Sequence, residues 1–428
     1  MVMPAFPKLS ETFLVNKFVG LLRQGVDAYV VCGRSDESEW RNYPHFAEQA
    51  PLRRRIVRSW AHEPRWLAAL LWPFALLYTF VMRPSGTVRY FRFTAKSLGV
   101  RCLSTFYLDA ALIRLQPDIV HFEFGTLVLG RTHLRDALPA KLVVSFRGFD
   151  LNYSGLDDPQ YYQQAWQSLA GVHCLGQDLW RRAQRRGCPP SMPHVLIPPA
   201  IDVERFSGEE RPDRDVTFSP ERPFRILCVG RLHWKKGHEY ALLAVSELRK
   251  LGVPCELRVV GDGEALESLY LAIHELELVG VVTLVGSMPH EQVRQELDWA
   301  DVLLHAAVSE GFCNSVLEAQ AMAKPVVCSD ADGLSENVRD GVTGFVTPRR
   351  DIHAMAEKLA LLAGNAELRR DMGAAGRQRV LRQYRLEAQI DAFARWYDEL
   401  LGESSDNERA DAATLRSESS TQDALARA

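Results

Sequence analysis

The feature that most constrains this chain is an alternation that occurs twice. In the first half, short β-rich apolar runs such as "DAYVVCG", "PDIVHFEFG" (Pro117–Gly125), "AKLVVSFRG" (Ala140–Gly148), "GVHCLG" (Gly171–Gly176) and "HVLIPPAID" (His194–Asp202) are separated by stretches of helical spacing. The second half repeats the pattern with "FRILCVG", "CELRVVGDG", "VTLVGSM", "ADVLLHAA", "PVVCSD" and "TGFVTP". Strands joined through helices pair in parallel, and a parallel sheet is covered by helices on both faces. The chain is therefore expected to form two doubly wound α/β domains, facing each other across a cleft at the carboxyl ends of their strands. A length of 428 residues suits two cores better than one.

The charged, proline-containing stretch "ERFSGEERPDRDVTFSPERP" marks the boundary. The expected layout is a first domain over 1–205, a linker over 206–222 and a second domain over 223–385. An amphipathic closing helix follows over 386–401. The tail over 402–428 is poor in sustained apolar faces and is expected to be disordered. "SETFLVNKFVGLLRQG" reads as a first helix with Ser10 placed to cap it and Gly25 at its stop. Such a domain opens with a strand before that helix, so the strand is either very short or precedes the recorded start.

The eight cysteines are scattered, with no CxxC pair and no histidine at zinc spacing. Nothing at the start reads as a signal peptide, so the expectation is a cytosolic, reduced protein, with association at the inner face of the cell membrane left open. A net charge of -3 gives no whole-chain reason to expect nucleic acid. One region breaks the neutrality: between Pro51 and Arg92, eight arginines stand against one acid, Glu63, and flank the apolar run Trp66–Met82. Three readings are open for that run. It is a buried helical hairpin, a segment lying on an acidic membrane, or a span at the lower length limit.

Chemistry concentrates in the second half. "CVGRLHWKKGHEY" ends a strand at Gly230 and brings Arg231 and Lys236 to it, fixed positive charge suited to a diphosphate. It is not a P-loop, and "VVGDGEALESL" lacks the third glycine of a dinucleotide fingerprint. "EGFCNSVLEA" puts Asn314 or Ser315 at a helix N-terminus, where free N–H groups attract phosphate. Glu310 precedes that helix and Glu318 lies about a turn inside it. A carboxylate beside an anion site needs another partner, and sugar hydroxyls supply one, since a glutamate accepts two hydrogen bonds from a vicinal diol. Glu318 would grip a ribose and Glu310 a second sugar, with the diphosphate between. "DAD" at Asp330–Asp332 imitates a metal-binding motif but follows a strand in a loop, and no metal is expected.

These motifs, with "ENVRDGVTGFVTP" and the E-x7-E pair Glu310 and Glu318, resemble the retaining glycosyltransferases of the GT-B fold, family-4 type. "FPKLSETF" and "VVSFRGFDL" in the first half are similar to segments of transferases that build bacterial exopolysaccharides such as colanic acid. The resemblance implies a nucleotide-sugar donor, a glycan or lipid-linked acceptor and no cofactor. It implies that Arg231 and Lys236 bind the donor diphosphate, Glu318 the ribose, and Glu310 the transferred sugar. Gly311, Phe312, Cys313 and Asn314 would complete the donor site, with backbone N–H groups near Phe312 and Cys313 aiding. Where many relatives carry His-Gly-x-Asp, this chain has Arg147, Gly148, Phe149 and Asp150, so Arg147 would stabilise the leaving phosphate or bind an acidic acceptor. The alternatives are a sugar-nucleotide epimerase or phosphorylase, and a catalytically silent assembly or regulatory subunit.

Overall fold

A computed structural model describes residues 1–8, 11–40, 43, 50–60, 63–207 and 218–402. The Ser10 cap, most of the linker and nearly all of the tail lie outside the described residues. The chain divides into two compact units. One holds Met1–Cys174, Ala183–Ile197 and the chain from Ile390; the other holds Leu175–Arg182 and Pro198–Gln389.

The first unit is built on a seven-stranded sheet in the order β3-β2-β1-β4-β5-β6-β7. Its strands are β1 (Val2–Ala5), β2 (Val30–Arg34), β3 (Ile56–Arg58), β4 (Ile119–Phe122), β5 (Lys141–Phe146), β6 (Gly171–Cys174) and β7 (His194–Leu196). The strand that the sequence left in doubt is therefore present: β1 is four residues long and sits mid-sheet, parallel to both β2 and β4. β3 was not anticipated. It falls inside the arginine-rich segment, where Ile56 and Val57 pair with Val30 and Val31.

Helix α1 (Thr12–Arg23) follows β1 and buries Leu14, Val15, Phe18 and Leu21, a stripe at helical spacing. After β3 come three longer helices, α2 (Arg65–Met82), α3 (Pro84–Leu98) and α4 (Arg101–Leu115). α2 is not the buried hairpin that was one expectation: most of its large side chains are exposed.

The second unit carries a six-stranded sheet in the order β10-β9-β8-β11-β12-β13. Its strands are β8 (Phe224–Val229), β9 (Cys255–Val260), β10 (Val282–Gly286), β11 (Val302–His305), β12 (Val326–Ser329) and β13 (Gly344–Thr347). All neighbours are parallel, so the six strands repeat the order of the first unit's β1 to β6. Helix α5 (His238–Lys250) covers this sheet with Ala241, Leu242, Val245 and Leu248. Helix α6 (Asn314–Ala321) is buried along nearly its whole length. α7 (Leu386–Leu401) closes on the first unit, where Ile390 occupies the space beside Gly20, and Phe393 and Trp396 pack against His121.

Candidate functional site

Within the second unit, the loop after β8 carries Arg231 and then a short 3-10 turn, Trp234–Lys236. Gly237 ends the turn at φ 65°, and a side chain there would meet the Ala306 carbonyl oxygen at 2.0 Å. Only glycine lets α5 start so close to the end of β11. That closeness brings Lys236 to the loop after β11. Its ammonium donates to the Glu310 carboxylate, and both side chains are largely buried. Arg231 is exposed, and its charge is felt at Lys236.

Two residues that the sequence reading passed over complete this cluster. His305, the last residue of β11, places Nε2 3.6 Å from Glu310 and 3.5 Å from the Cys313 sulfur. Asn337 takes the Cys313 N–H on Oδ1 and returns Nδ2 to the Cys313 carbonyl, both at 3.0 Å. Neither position forms a pattern along the chain, although His305 ends a strand at the sheet's carboxyl edge, where ligands gather. The Asn337 bond also narrows one expectation: the Cys313 N–H is occupied, whereas those of Gly311, Phe312 and Asn314 have no partner among the described residues. Gly333 N donates to the Glu310 carbonyl at 3.0 Å, and a side chain at Gly333 would strike the Gly311 carbonyl. The turn is therefore shaped from both sides.

The electrostatics follow from this packing. Burial alone would raise the Glu310 carboxyl, but Lys236 and His305 outweigh it and hold it down at about 2. Burial opposes both charges of the Cys313–His305 pair. Even so, mutual attraction and their hydrogen bond hold the thiol below its ordinary value and the imidazole above its own. Glu318 is different. Burial pushes its carboxyl up to about 8, Cys313 adds to the rise and Arg205 opposes it, and the His290 ring lies 3.8 Å away. Burying a carboxyl in this way is costly unless hydrogen-bond partners are supplied.

His305, Glu310 and Cys313 also offer three donor atoms within 4.8 Å of one another, a set that could hold a metal ion. The Lys236 ammonium already neutralises Glu310 there. Asp330 and Asp332 are tied instead to Arg349 and Arg182.

In the first unit, Arg147 lies with its guanidinium 4.2 Å over the Phe13 ring. Its Nε donates to the Glu123 carbonyl at 3.1 Å and Nη2 to the Glu123 carboxylate at 3.3 Å. Glu123 is wholly buried and also accepts from Lys17 at 2.7 Å. His121 at the middle of β4 is enclosed: it bonds Ser145 at 2.7 Å and Tyr397 at 2.6 Å. Asp150 accepts from the Arg147 and Thr126 N–H groups at 2.9 and 3.2 Å, capping the short helix that Arg147 precedes.

Two parallel sheets of matching strand order, one with a cationic loop facing a buried glutamate at a helix start, define the GT-B class of glycosyltransferases. The glycosyl transferases group 1 family model matches residues 209–379, and the chain is a glycosyltransferase. Over 379 residues it is 25% identical to the amylovoran biosynthesis glycosyltransferase AmsK of Erwinia amylovora, covering 85% of this chain and 90% of AmsK. It is 27% identical over 373 residues to WcaL of Salmonella typhimurium, described as a glycosyltransferase of colanic acid biosynthesis, covering 83% and 88%. Among solved structures, HepE of Anabaena with UDP and glucose aligns with a TM-score of 0.69 at 14% identity, covering 93% of this chain and 99% of HepE. Sucrose-phosphate synthase of Thermosynechococcus elongatus aligns at 0.66 and 18%, covering 92% and 94%.

Proposed function

We propose that the chain transfers a sugar, with retention, from a nucleoside-diphosphate donor to a glycan or lipid-linked acceptor in cell-surface polysaccharide synthesis. The observation that carries this reading is the Lys236–Glu310 pair beside the unpartnered N–H groups of Gly311, Phe312 and Asn314. Lys236 and Arg231 hold the diphosphate together with the start of α6, stabilising the charge that grows as it departs. Glu310, released from Lys236 by the arriving phosphate, accepts from hydroxyls of the transferred sugar. Glu318 accepts from the ribose diol, and Arg147 is assigned to the leaving phosphate or to an acidic acceptor. The bond from the anomeric carbon to the phosphate oxygen breaks, and the acceptor oxygen bonds that carbon on the same face. The acceptor proton passes to the departing phosphate. This scheme assigns charge neutralisation to side chains and backbone rather than to a metal. The named functions of AmsK and WcaL support the polysaccharide setting, and HepE with UDP supports a uridine donor.

Calorimetry with UDP tests the site. Lys236→Ala removes a charge-assisted hydrogen bond of about 1.5–3 kcal/mol, so affinity falls by roughly 10-fold or more. Unchanged affinity would remove Lys236 from the donor site. Chelation by EDTA leaves nucleotide release unchanged on this scheme; loss of turnover restored by a divalent cation would return the His305, Glu310 and Cys313 set to consideration.

A further inference from the structure

Helix α2 is apolar on both sides. Its face toward the rest of the first unit holds Ala75 and Thr79 fully buried, with Leu67, Leu71, Trp72 and Leu76 half-buried beside them. Its outer face presents Trp66, Leu70, Phe74, Leu77 and Val81, exposed by 69%, 60%, 61%, 63% and 67%. These five recur at intervals of three and four residues, one continuous stripe along the helix. A helix on a water-soluble surface places its bulky apolar stripe inward. On the segments that follow α2, Val88, Phe93 and Val100 are exposed as well. An apolar area of this kind marks a surface that something covers.

The packing fixes how it can be covered. The Trp72 indole N–H donates to the Leu103 carbonyl at 2.8 Å, and its ring meets Phe106. Near the other end, the Arg114 guanidinium lies 4.7 Å over the Tyr78 ring. α2 is thus held along its length against α4 and offers only its outer face, so it lies along a surface instead of crossing one. Charge selects the occupant. Residues 51–105 contain ten Lys or Arg against the single acid Glu63. Arg65 begins α2, Arg92 and Lys96 are exposed on α3, and Arg101 begins α4; none of these four has an acidic partner among the described residues. In a two-fold dimer the same patch would meet itself, setting this cationic border against its own copy. Anionic phospholipid headgroups over an apolar interior match both features.

We infer that the outer face of α2, with its basic border from α3 and α4, docks this protein in the plane of an anionic lipid bilayer. The stripe enters the headgroup boundary while the arginines remain with the phosphates.

Co-sedimentation of the full chain tests this with vesicles of phosphatidylglycerol and phosphatidylcholine, against vesicles of phosphatidylcholine alone. No donor or acceptor is needed, so the outcome is independent of the catalytic reading. The protein should pellet with the anionic vesicles and be released by high salt. A Leu70→Glu, Phe74→Glu, Leu77→Glu triple variant with an unchanged melting temperature should bind at least ~10-fold more weakly. An Arg65→Glu, Arg92→Glu variant should lose the preference for anionic vesicles. Because the triple change lies on exposed side chains, folding is expected to survive it; should it not, the arginine variant carries the test alone. Any one of three results overturns the inference: no vesicle binding by the unaltered protein, a dimer in light scattering that the triple variant splits, or resistance to alkaline carbonate extraction from cells.

Discussion

Glu310 and Glu318 show how far two identical side chains diverge eight residues apart. Glu310 faces an ammonium and an imidazole and is held at about 2; at Glu318 burial dominates, and the carboxyl rises to about 8. The second shift has a measurable consequence. A carboxyl raised from its ordinary 4.5 to about 8 binds more protons in the folded state across that interval. Glu318's own contribution to stability without donor is therefore full below about 4.5 and falls as pH rises toward about 8. The loss is on the order of a few kcal/mol. Glu318→Gln, which cannot titrate, should flatten that slope in urea denaturation between the two pH values; an unaltered slope would mean the carboxyl is ionised in the folded protein. On the proposed reading, a ribose diol donating to Glu318 restores the hydrogen bonds that burial removed, so nucleotide binding should release a proton.

At the scale of elements, the site depends on where α5 and α6 begin. Gly237 and Gly333 allow backbones to approach so closely that a single Cβ would collide with a carbonyl. Gly237→Ala combines that collision with a left-handed φ of 65°, which alone costs about 1–2 kcal/mol. The variant should lower the unfolding midpoint and displace Lys236 from Glu310, weakening UDP binding with it. Normal binding at a normal midpoint would show that the turn relaxes freely. In the first unit, Arg147 is set by its element as well. The Asp150 cap fixes the turn, and Glu123 fixes the guanidinium.

Across the whole molecule, contacts within the second unit join distant parts of the chain. The Glu336 carboxylate accepts from the Gln177 and Asp178 N–H groups at 2.9 and 2.7 Å, 159 and 158 residues away in sequence. It serves as the missing cap of the helix Gln177–Arg185, whose first donors would otherwise be bare. Glu336→Ala should cost about 1 kcal/mol, as loss of a cap does, read as a shifted chemical-denaturation midpoint. An unchanged midpoint would mean that water serves those donors equally well. The units themselves are assembled from separated segments, with Leu175–Arg182 lying in sequence between parts of the first unit yet belonging to the second.

Much of this was legible along the chain. Alternating apolar runs announced two parallel sheets, because period and length are local properties that survive in one dimension. Arg231, Lys236, Glu310 and Glu318 were legible because a strand end or a helix start gives each a place close in sequence. What the order of residues could not supply was which charges face each other after folding. His305 and Asn337 join the site through pairing of β11 and through a turn that returns beside it. Glu123 meets Lys17 across 106 residues, and no pattern announces that meeting. The apolar run Trp66–Met82 was visible, but its direction was not. Composition sets how much apolar surface a helix carries, whereas only packing against α4 determines which side remains open.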